Sequence, residues 1–426
     1  MSEQNNSENK KKRKIPLALK IILIVVLCLV LIGAALFGYV YSLLNKINRP
    51  DPNEVYLTEE ELLLIEQEEE GYDPEETGFF EIIPDEDEEL WDPNEENAET
   101  VPSETEITDP EKTGESNTEQ STETASSQPS GSPSDDSSSG SSSNSSSSGT
   151  SSSSSAPKVD TSRVISPDQI KFNPLDNATI TGKNLINILL IGQDRRQYES
   201  TRQRSDSMIL ATVNKEKKTV TLTSFVRDIY VQIPGYQNNR LNAAFRFGGM
   251  KLLDQTFEKN FGVKIDANVC VDFGQFTSLI DKLGGIDIEI TDAEAKVLSL
   301  PSSGMVHLNG SKTLSYARIR KIDSDIKRSE RQRKVLLALY SKYKDKSATE
   351  LLAMLDDILP LITTDLSNWE ILSYATELLP MSKEFTVITQ RVPINKSYYY
   401  ATIDGRALTI IDFEKNQQFL IDTLLD

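Results

Sequence analysis

Between Ile21 and Leu44 the chain carries no charge and is dominated by Ile, Leu, Val and Ala. As a helix, such a run is long enough to cross the roughly 30 Å hydrocarbon core of a bilayer. Lys10, Lys11, Lys12, Arg13, Lys14 and Lys20 precede it. The positive-inside bias therefore puts residues 1–20 in the cytoplasm and everything after Asn45 outside, as expected of a single-pass protein of the cell membrane. A cleaved signal peptide is the alternative. It fits less well, because the run exceeds an ordinary signal-peptide core and the small residues Gly33, Ala34 and Ala35 lie inside it.

Charge divides the rest. Residues 1–50 carry 8 Lys/Arg against 2 Glu, residues 51–159 carry 2 Lys against 31 Asp/Glu, and residues 160–426 carry 35 Lys/Arg against 33 Asp/Glu. The net charge of −21 thus belongs to a linker and implies nothing about a substrate. Residues 45–160 read as an acidic, Ser-rich disordered linker. Within it "LTEEELLLIEQEEEG" has the spacing of a short amphipathic helix, and residues 100–155 have too few apolar groups to offset chain entropy. A flexible tract of this length reaches roughly 50–60 Å, which predicts a tether holding the following domain clear of the lipid, or alternatively an O-glycosylated stalk.

Residues 161–426 have globular texture. "LINILLIG", "SMILATV", "TVTLTSF", "ANVCVDF" and "IDIEI" read as strands, the second and third joined by the polar turn "NKEKK". "GGMKLLDQTFEKNFG", "GQFTSLIDKLGG" and "DFEKNQQFLIDTLL" read as helices, the first closed by Gly262. The expected class is a layered α/β domain around a mixed central sheet. Cys28 lies in the apolar run and Cys270 in a strand, so no disulfide framework is expected, and Cys270 reads as a core residue. His307 is the single histidine, which excludes a two-histidine metal centre from this chain alone; any metal should be a hard ion held by carboxylates.

Three charged constellations stand out. Asp194 and Asp206 flank "RRQYESTRQRS", near Arg195, Arg196, Arg202 and Arg204. If their strands are neighbours, this pair of carboxylates suits Mg²⁺ or Mn²⁺ shared with a phosphate, or else a solvated loop of local ion pairs. In "YARIRKIDSDIKRSERQRKVLLALY", an extended Tyr316–Arg320 would point Arg318 and Arg320 to one face. A helix capped by Asp323, Ser324 or Asp325 would then carry Arg328, Arg331 and Gln332 on the stripe of Val335 and Leu339. Guanidinium groups gathered at a helix N-terminus suit a phosphate; the alternative is arginines paired with Asp287 or Glu330. Third, Arg227 and Asp228 follow an apolar strand, either joining the anion site or forming a structural ion pair.

Over residues 187–340 the chain resembles the LytR-CpsA-Psr family of cell-wall glycopolymer ligases. The stretches that carry the resemblance are "NILLIGQDRR", "RSDSMILATVN", "VTLTSFVRDIYVQIPG", "RLNAAFRFGG", "LIDKLGGIDIEI", "HLNGSKTLSYARIRK" and "RSERQRKVL", in that order. The resemblance implies a phosphotransferase that hands a polyprenyl-pyrophosphate-linked glycopolymer, of teichoic acid or capsule type, to a muramic acid hydroxyl of peptidoglycan at the bacterial surface. It implies that Asp194 and Asp206 hold Mg²⁺ and that Arg204, Arg227, Arg318, Arg320, Arg328 and Arg331 bind the pyrophosphate with help from Gln332. Asp206 or Asp194 would serve as base, with Asp194, Asp206, Arg227, Arg318 and Arg320 closest to the chemistry. An apolar groove for the polyprenyl chain would come from "RLNAAFRFGGMKLL" and "ANVCVDFGQF", although a packed core predicts the same composition.

Other readings use the same residues differently. A polyprenyl-pyrophosphate phosphatase would take water as acceptor, and a wall-binding module would bind without reacting. A membrane-bound transcriptional regulator is the third. With about twenty cytoplasmic residues and no helix-turn-helix among them, no nucleic-acid partner is expected.

Overall fold

The chain is described here from a computed structural model covering residues 37–50, 58, 163–195, 203–320 and 322–425. The start of the apolar run and nearly all of the acidic, Ser-rich stretch lie outside the described residues, as do Arg196 and Arg202. Among the described residues no helix is long and apolar enough to cross a membrane.

Six strands form one mixed sheet in the order β10-β3-β2-β1-β6-β9. They are β1 (Leu185–Gln193), β2 (Ser205–Asn214), β3 (Thr219–Phe225), β6 (Ala267–Asp272), β9 (Thr363–Thr364) and β10 (Thr386–Val392). β1 runs parallel to β6 and β3 parallel to β10, whereas β2 is antiparallel to both β1 and β3. The carboxyl ends of β1, β3, β6 and β10 and the start of β2 therefore gather at one end of the sheet. That end is where open α/β sheets place ligands.

Leu189 and Ile191 lie on one face of β1 by the two-residue alternation, and they share the main core with helices α1 (Leu241–Phe261) and α8 (Phe413–Leu424). A short hairpin, β4 (Tyr230–Val231) and β5 (Asn239–Arg240), leads into α1. A second core is built by α2 (Phe273–Lys282), the separate hairpin of β7 (Ile286–Ile290) with β8 (Gly304–Leu308), α3 (Asp292–Val297), α4 (Gly310–Ala317) and α5 (Asp325–Tyr343). The hairpin β11 (Tyr398–Ile403) and β12 (Arg406–Ile411) completes the fold, with α6 (Ala348–Ile358) and α7 (Asn368–Leu378) flanking β9.

The strand and helix readings hold, with corrections. α1 begins at Leu241 and runs through a kink at Gly248 and Gly249 before Gly262 closes it at φ +69°. Leu241, Ala243, Ala244, Phe245, Phe247, Leu252 and Leu253 are buried in the main core, as is Cys270. Packing in the main core thus accounts for the apolar composition of these segments. β7 pairs with β8, not with the central sheet.

Tyr316 is not extended. It belongs to α4, where Asn309 caps the backbone N–H of Lys312 and Thr313, Tyr316 and Ala317 are buried at helical spacing. Gly310 lets α4 pack closely on α2, since a Cβ there would collide with the carbonyl of Thr277.

The last residues of the apolar run and residues 45–50, at the start of the assigned linker, are packed on the domain. Residues 37–44 are helical, and Leu43, Leu44 and Ile47 are buried with Leu359, Leu352, Leu355, Ile371 and Leu372. Asn48 bridges Thr363 at the edge of β9, donating to the carbonyl of Ile362 at 3.1 Å and accepting from the N–H of Thr364 at 3.1 Å. Arg49 donates to the carbonyls of Thr364 and Leu366 and to Asn368 Oδ1.

Beside this edge, Asn268 donates to both carboxylate oxygens of Asp254 at 3.1 Å and to Asp365 at 2.8 Å. Burial, and the charge of Asp365, push Asp254 from 3.8 up to about 7, against the Asn268 hydrogen bond. A carboxyl whose folded pKa is raised binds its proton more tightly in the folded chain, so its stabilising effect is present below the unfolded value and is lost as pH rises toward 7. Asp254→Asn is expected to flatten the fall in stability between about pH 4 and pH 7, as read from denaturant midpoints across that range. Parallel curves for the variant and the parent would remove Asp254 from the pH dependence.

Candidate functional site

The site is built where β1, β2, β3 and β6 meet. Gly192 pairs with Ser207 and Gln193 with Ser205, so Asp206 is an extra residue in a β-bulge. Bulges re-aim side chains. Gly192 permits the close pairing, since a Cβ there would lie 3.1 Å from that of Ser207. Past the bulge, the N–H of Asp194 donates to the carbonyl of Arg204 at 3.2 Å, which brings the backbones of the two flanking segments together despite the intervening loop.

Arg227 leaves the end of β3 and is the hub of the cluster. Its Nη1 donates to Asp206 Oδ1 at 2.6 Å, and its Nε lies 3.3 Å from Asp228 and 3.7 Å from Asp325. Arg240 approaches Asp228 at 3.3 Å because the β4–β5 pairing returns the chain beside it. From the start of α5, Asp325 takes Arg328 at 3.0 Å and faces Arg320 at 4.0 Å. Ser324 caps α5.

Burial opposes ionisation of Asp206, yet Arg227, Arg328 and Arg320 together hold its carboxyl below its ordinary range. Asp228 is likewise held low against burial by Arg227, Arg240, Arg328 and Arg320. Burial also opposes the charge on Arg227, but Asp228, Asp206 and Asp325 push its pKa upward. Arg328 is the contrasting case. With a side chain 4% exposed, it is drawn down to about 10 by burial and by Arg227 and Arg320, with Asp325 opposing. Arg320 and Arg240 are lowered too, chiefly by burial and by neighbouring guanidinium groups. Cations that depress one another in a buried cluster are stabilised when an anion joins them.

The sequence-derived residues divide into three places. Asp206, Arg227, Arg320 and Arg328 stand together, with Arg204 close enough to act on Arg240. Arg318 is the C-cap of α4 and stacks its guanidinium 4.2 Å over the ring of Phe273, beside the Arg195–Asp272 pair at 2.8 Å. It therefore shares no strand face with Arg320. Arg331 is buried away from solvent, with Nε donating to Glu294 at 2.7 Å and its two Nη groups to Asp323 and the carbonyl of Ile319. Gln332, next along α5, is half-buried. Asp287 pairs with His307 and Glu330 with Lys327 and Lys334, so neither serves the arginines.

Sequence reasoning missed Arg240, Asp272 and Glu294, and read Asp325 only as a cap. Asp272 carried a signal, since it ends an apolar strand as Asp194 follows one. Arg240 carried none, because only the hairpin brings it to Asp228.

Among the described residues no three or more His, Cys, Asp or Glu side chains gather as a metal centre. Asp194 and Asp206 leave the same hairpin base, with the carboxyl of Asp206 held ionised against Arg227.

A mixed sheet with flanking helices, bearing a buried cluster of guanidinium groups beyond its strand ends, defines an α/β domain. The chain belongs to the LytR_cpsA_psr family, whose model matches residues 140–418. The polyisoprenyl-teichoic acid–peptidoglycan teichoic acid transferase TagT of Bacillus subtilis is 32% identical over 180 residues, covering 39% of this chain and 55% of that protein. The corresponding transferase TagU of Halalkalibacterium halodurans is 30% identical over 228 residues, covering 52% and 75%. The chain thus spans little more than half of TagT. A solved structure of TagT bound to LI-WTA is 24% identical, with a TM-score of 0.48, and the alignment covers 60% of this chain and all of that one.

Proposed function

We propose that the domain is a phosphotransferase that joins a polyprenyl-pyrophosphate-linked anionic glycopolymer to a muramic acid hydroxyl of peptidoglycan, outside the cell membrane. The observation that carries this reading is the set of Arg227, Arg240, Arg320 and Arg328 around Asp206, Asp228 and Asp325, with Arg328 depressed to about 10. The names of the transferase relatives support it.

In this reading Arg227, Arg320 and Arg328, with Arg204 and Arg240, grip the pyrophosphate, and Arg318 extends the site along the Phe273 ring. The acceptor oxygen attacks the glycopolymer-side phosphorus, the bond to the bridging oxygen breaks, and polyprenyl phosphate leaves. Fixed guanidinium groups stabilise the charge that spreads over the phosphoryl oxygens. Asp194 or Asp206 takes the hydroxyl proton, and Asp206 also positions Arg227. Asp194 and Asp206 would hold a Mg²⁺ or Mn²⁺ ion, which would supply further neutralisation. Arg331 serves at one remove, by fixing α5 against α3 through Glu294.

Arg328→Lys tests the anion site. Burial and the neighbours that lower the guanidinium would also lower an ammonium, whose ordinary value is about 10.4, enough to leave it uncharged in mildly alkaline buffer. Turnover of labelled lipid-linked polymer onto peptidoglycan is expected to fall about a hundredfold there and to recover as pH is lowered. Normal turnover, or a loss that no pH restores in a folded variant, would remove Arg328 from the site. Release of polyprenyl phosphate at equal rates with and without peptidoglycan, and no joined product, would identify a phosphatase.

A further inference from the structure

Residues 37–50 comprise the end of the apolar run and the six residues after it, and they are attached to the domain. Leu43, Leu44 and Ile47 are buried against α6, α7 and the turn Leu359–Leu361, while Asn48 and Arg49 bond to β9 and the start of α7. Asn368 in turn donates to Asn45 Oδ1 at 2.5 Å. The far end of the acidic stretch is also fixed. Ile165 donates to the carbonyl of Thr402, the carbonyl of Arg163 accepts from Thr402, and the Arg163 guanidinium lies 4.4 Å over the Tyr399 ring. The described residues that border the acidic stretch on either side are thus both attached to the domain.

Next to Asn368 stands Trp369, 69% exposed, and the docked helix exposes Phe37, Tyr39 and Tyr41. Lys46 and Arg49 follow that helix within a few residues. Aromatic rings with an apolar body and a polar edge, flanked by basic residues at the outer end of a spanning helix, are the side chains that settle at headgroup level.

We propose that the face carrying residues 43–50 and the start of α7 is the seat of the domain on the bilayer, with Trp369 as its interfacial anchor. This rests on the reading of residues 21–44 as a membrane span. The docked exit segment, and not the acidic stretch, then sets the height of the site. A domain held close to the lipid keeps its anion site within reach of a headgroup-level pyrophosphate, a geometry that a long tether would not supply.

The test uses the full chain with Trp91→Phe, which leaves Trp369 as the only tryptophan, reconstituted in phosphatidylcholine–phosphatidylglycerol vesicles with lipids brominated high on the acyl chain. Trp369 emission should be largely quenched, and equally so after deletion of residues 60–155. In Arg49→Ala/Asn368→Ala, which releases the latch, most of that quenching should be lost. Protein that resists carbonate extraction but shows no quenching overturns the seat and leaves the span standing. Quenching that disappears with the deletion also overturns it, since the acidic stretch would then position the domain. Extraction by carbonate removes the span and the seat together.

Discussion

Asp206→Ala is expected to reduce transfer at least about a hundredfold while the domain remains folded, because the change removes the carboxylate that orients Arg227 and one of two proposed ligands for a divalent ion. The structural cost should be modest. Arg227 loses a charge-assisted hydrogen bond of 2.6 Å but keeps Asp228 and Asp325, so about 2 kcal/mol is expected in chemical unfolding. Asp206→Asn, which retains an acceptor for Arg227, should recover most of that stability and little of the activity. If the parent protein keeps full activity in chelator-treated buffer, the divalent ion leaves the mechanism; if Asp206→Asn is fully active, the negative charge at this position is dispensable.

Arg331→Ala is expected to have the larger effect on stability. The substitution leaves Glu294, itself buried, and Asp323 without the guanidinium that joins them, and removing one partner of a buried ion pair costs about 3–5 kcal/mol. Burial opposes ionisation of Glu294, and its pKa is held down by the Thr291 N–H and by Arg331, so part of that support goes with the arginine. The affinity of the variant for a pyrophosphate-bearing analogue, measured below its unfolding temperature, should change little. An unchanged unfolding midpoint with lost affinity would return Arg331 to the anion site.

These expectations differ from the sequence reading for reasons that particular residues make plain. The strands were legible because "LINILLIG" and "TVTLTSF" are apolar runs bounded by turns, and buried strands require little else. Asp206, Arg227, Arg320 and Arg328 were legible as a constellation through the family motifs, and the fold brings them together. Arg318 was misplaced by a period: Thr313, Tyr316 and Ala317 repeat as a helix does, while "YARIR" in isolation alternates like a strand. Arg331 looked equivalent to Arg328 because both lie on one stripe of α5, and only the position of Glu294 in α3 sets the partners of Arg331 apart from those of Arg328. Residues 43–50 were hidden by their neighbours. Leu43, Leu44 and Ile47 are as apolar as a bilayer requires, so nothing in their composition distinguishes lipid contact from contact with α6 and α7.

The bulge at Asp206 has a bearing on how this hairpin tolerates change. Its extra residue is absorbed between Gly192 and Gln193, and the bond from Asp194 to Arg204 closes the hairpin one step further out. Residues beyond that closure hang from a fixed base, so insertions or deletions among positions 196–202 should leave the register of β1 and β2 and the aim of Asp206 intact. Loop length there is free to vary with whatever must be accommodated above the site, whereas the addition or loss of one residue between Arg204 and Ser207, inside that closure, would turn the carboxylate away from Arg227.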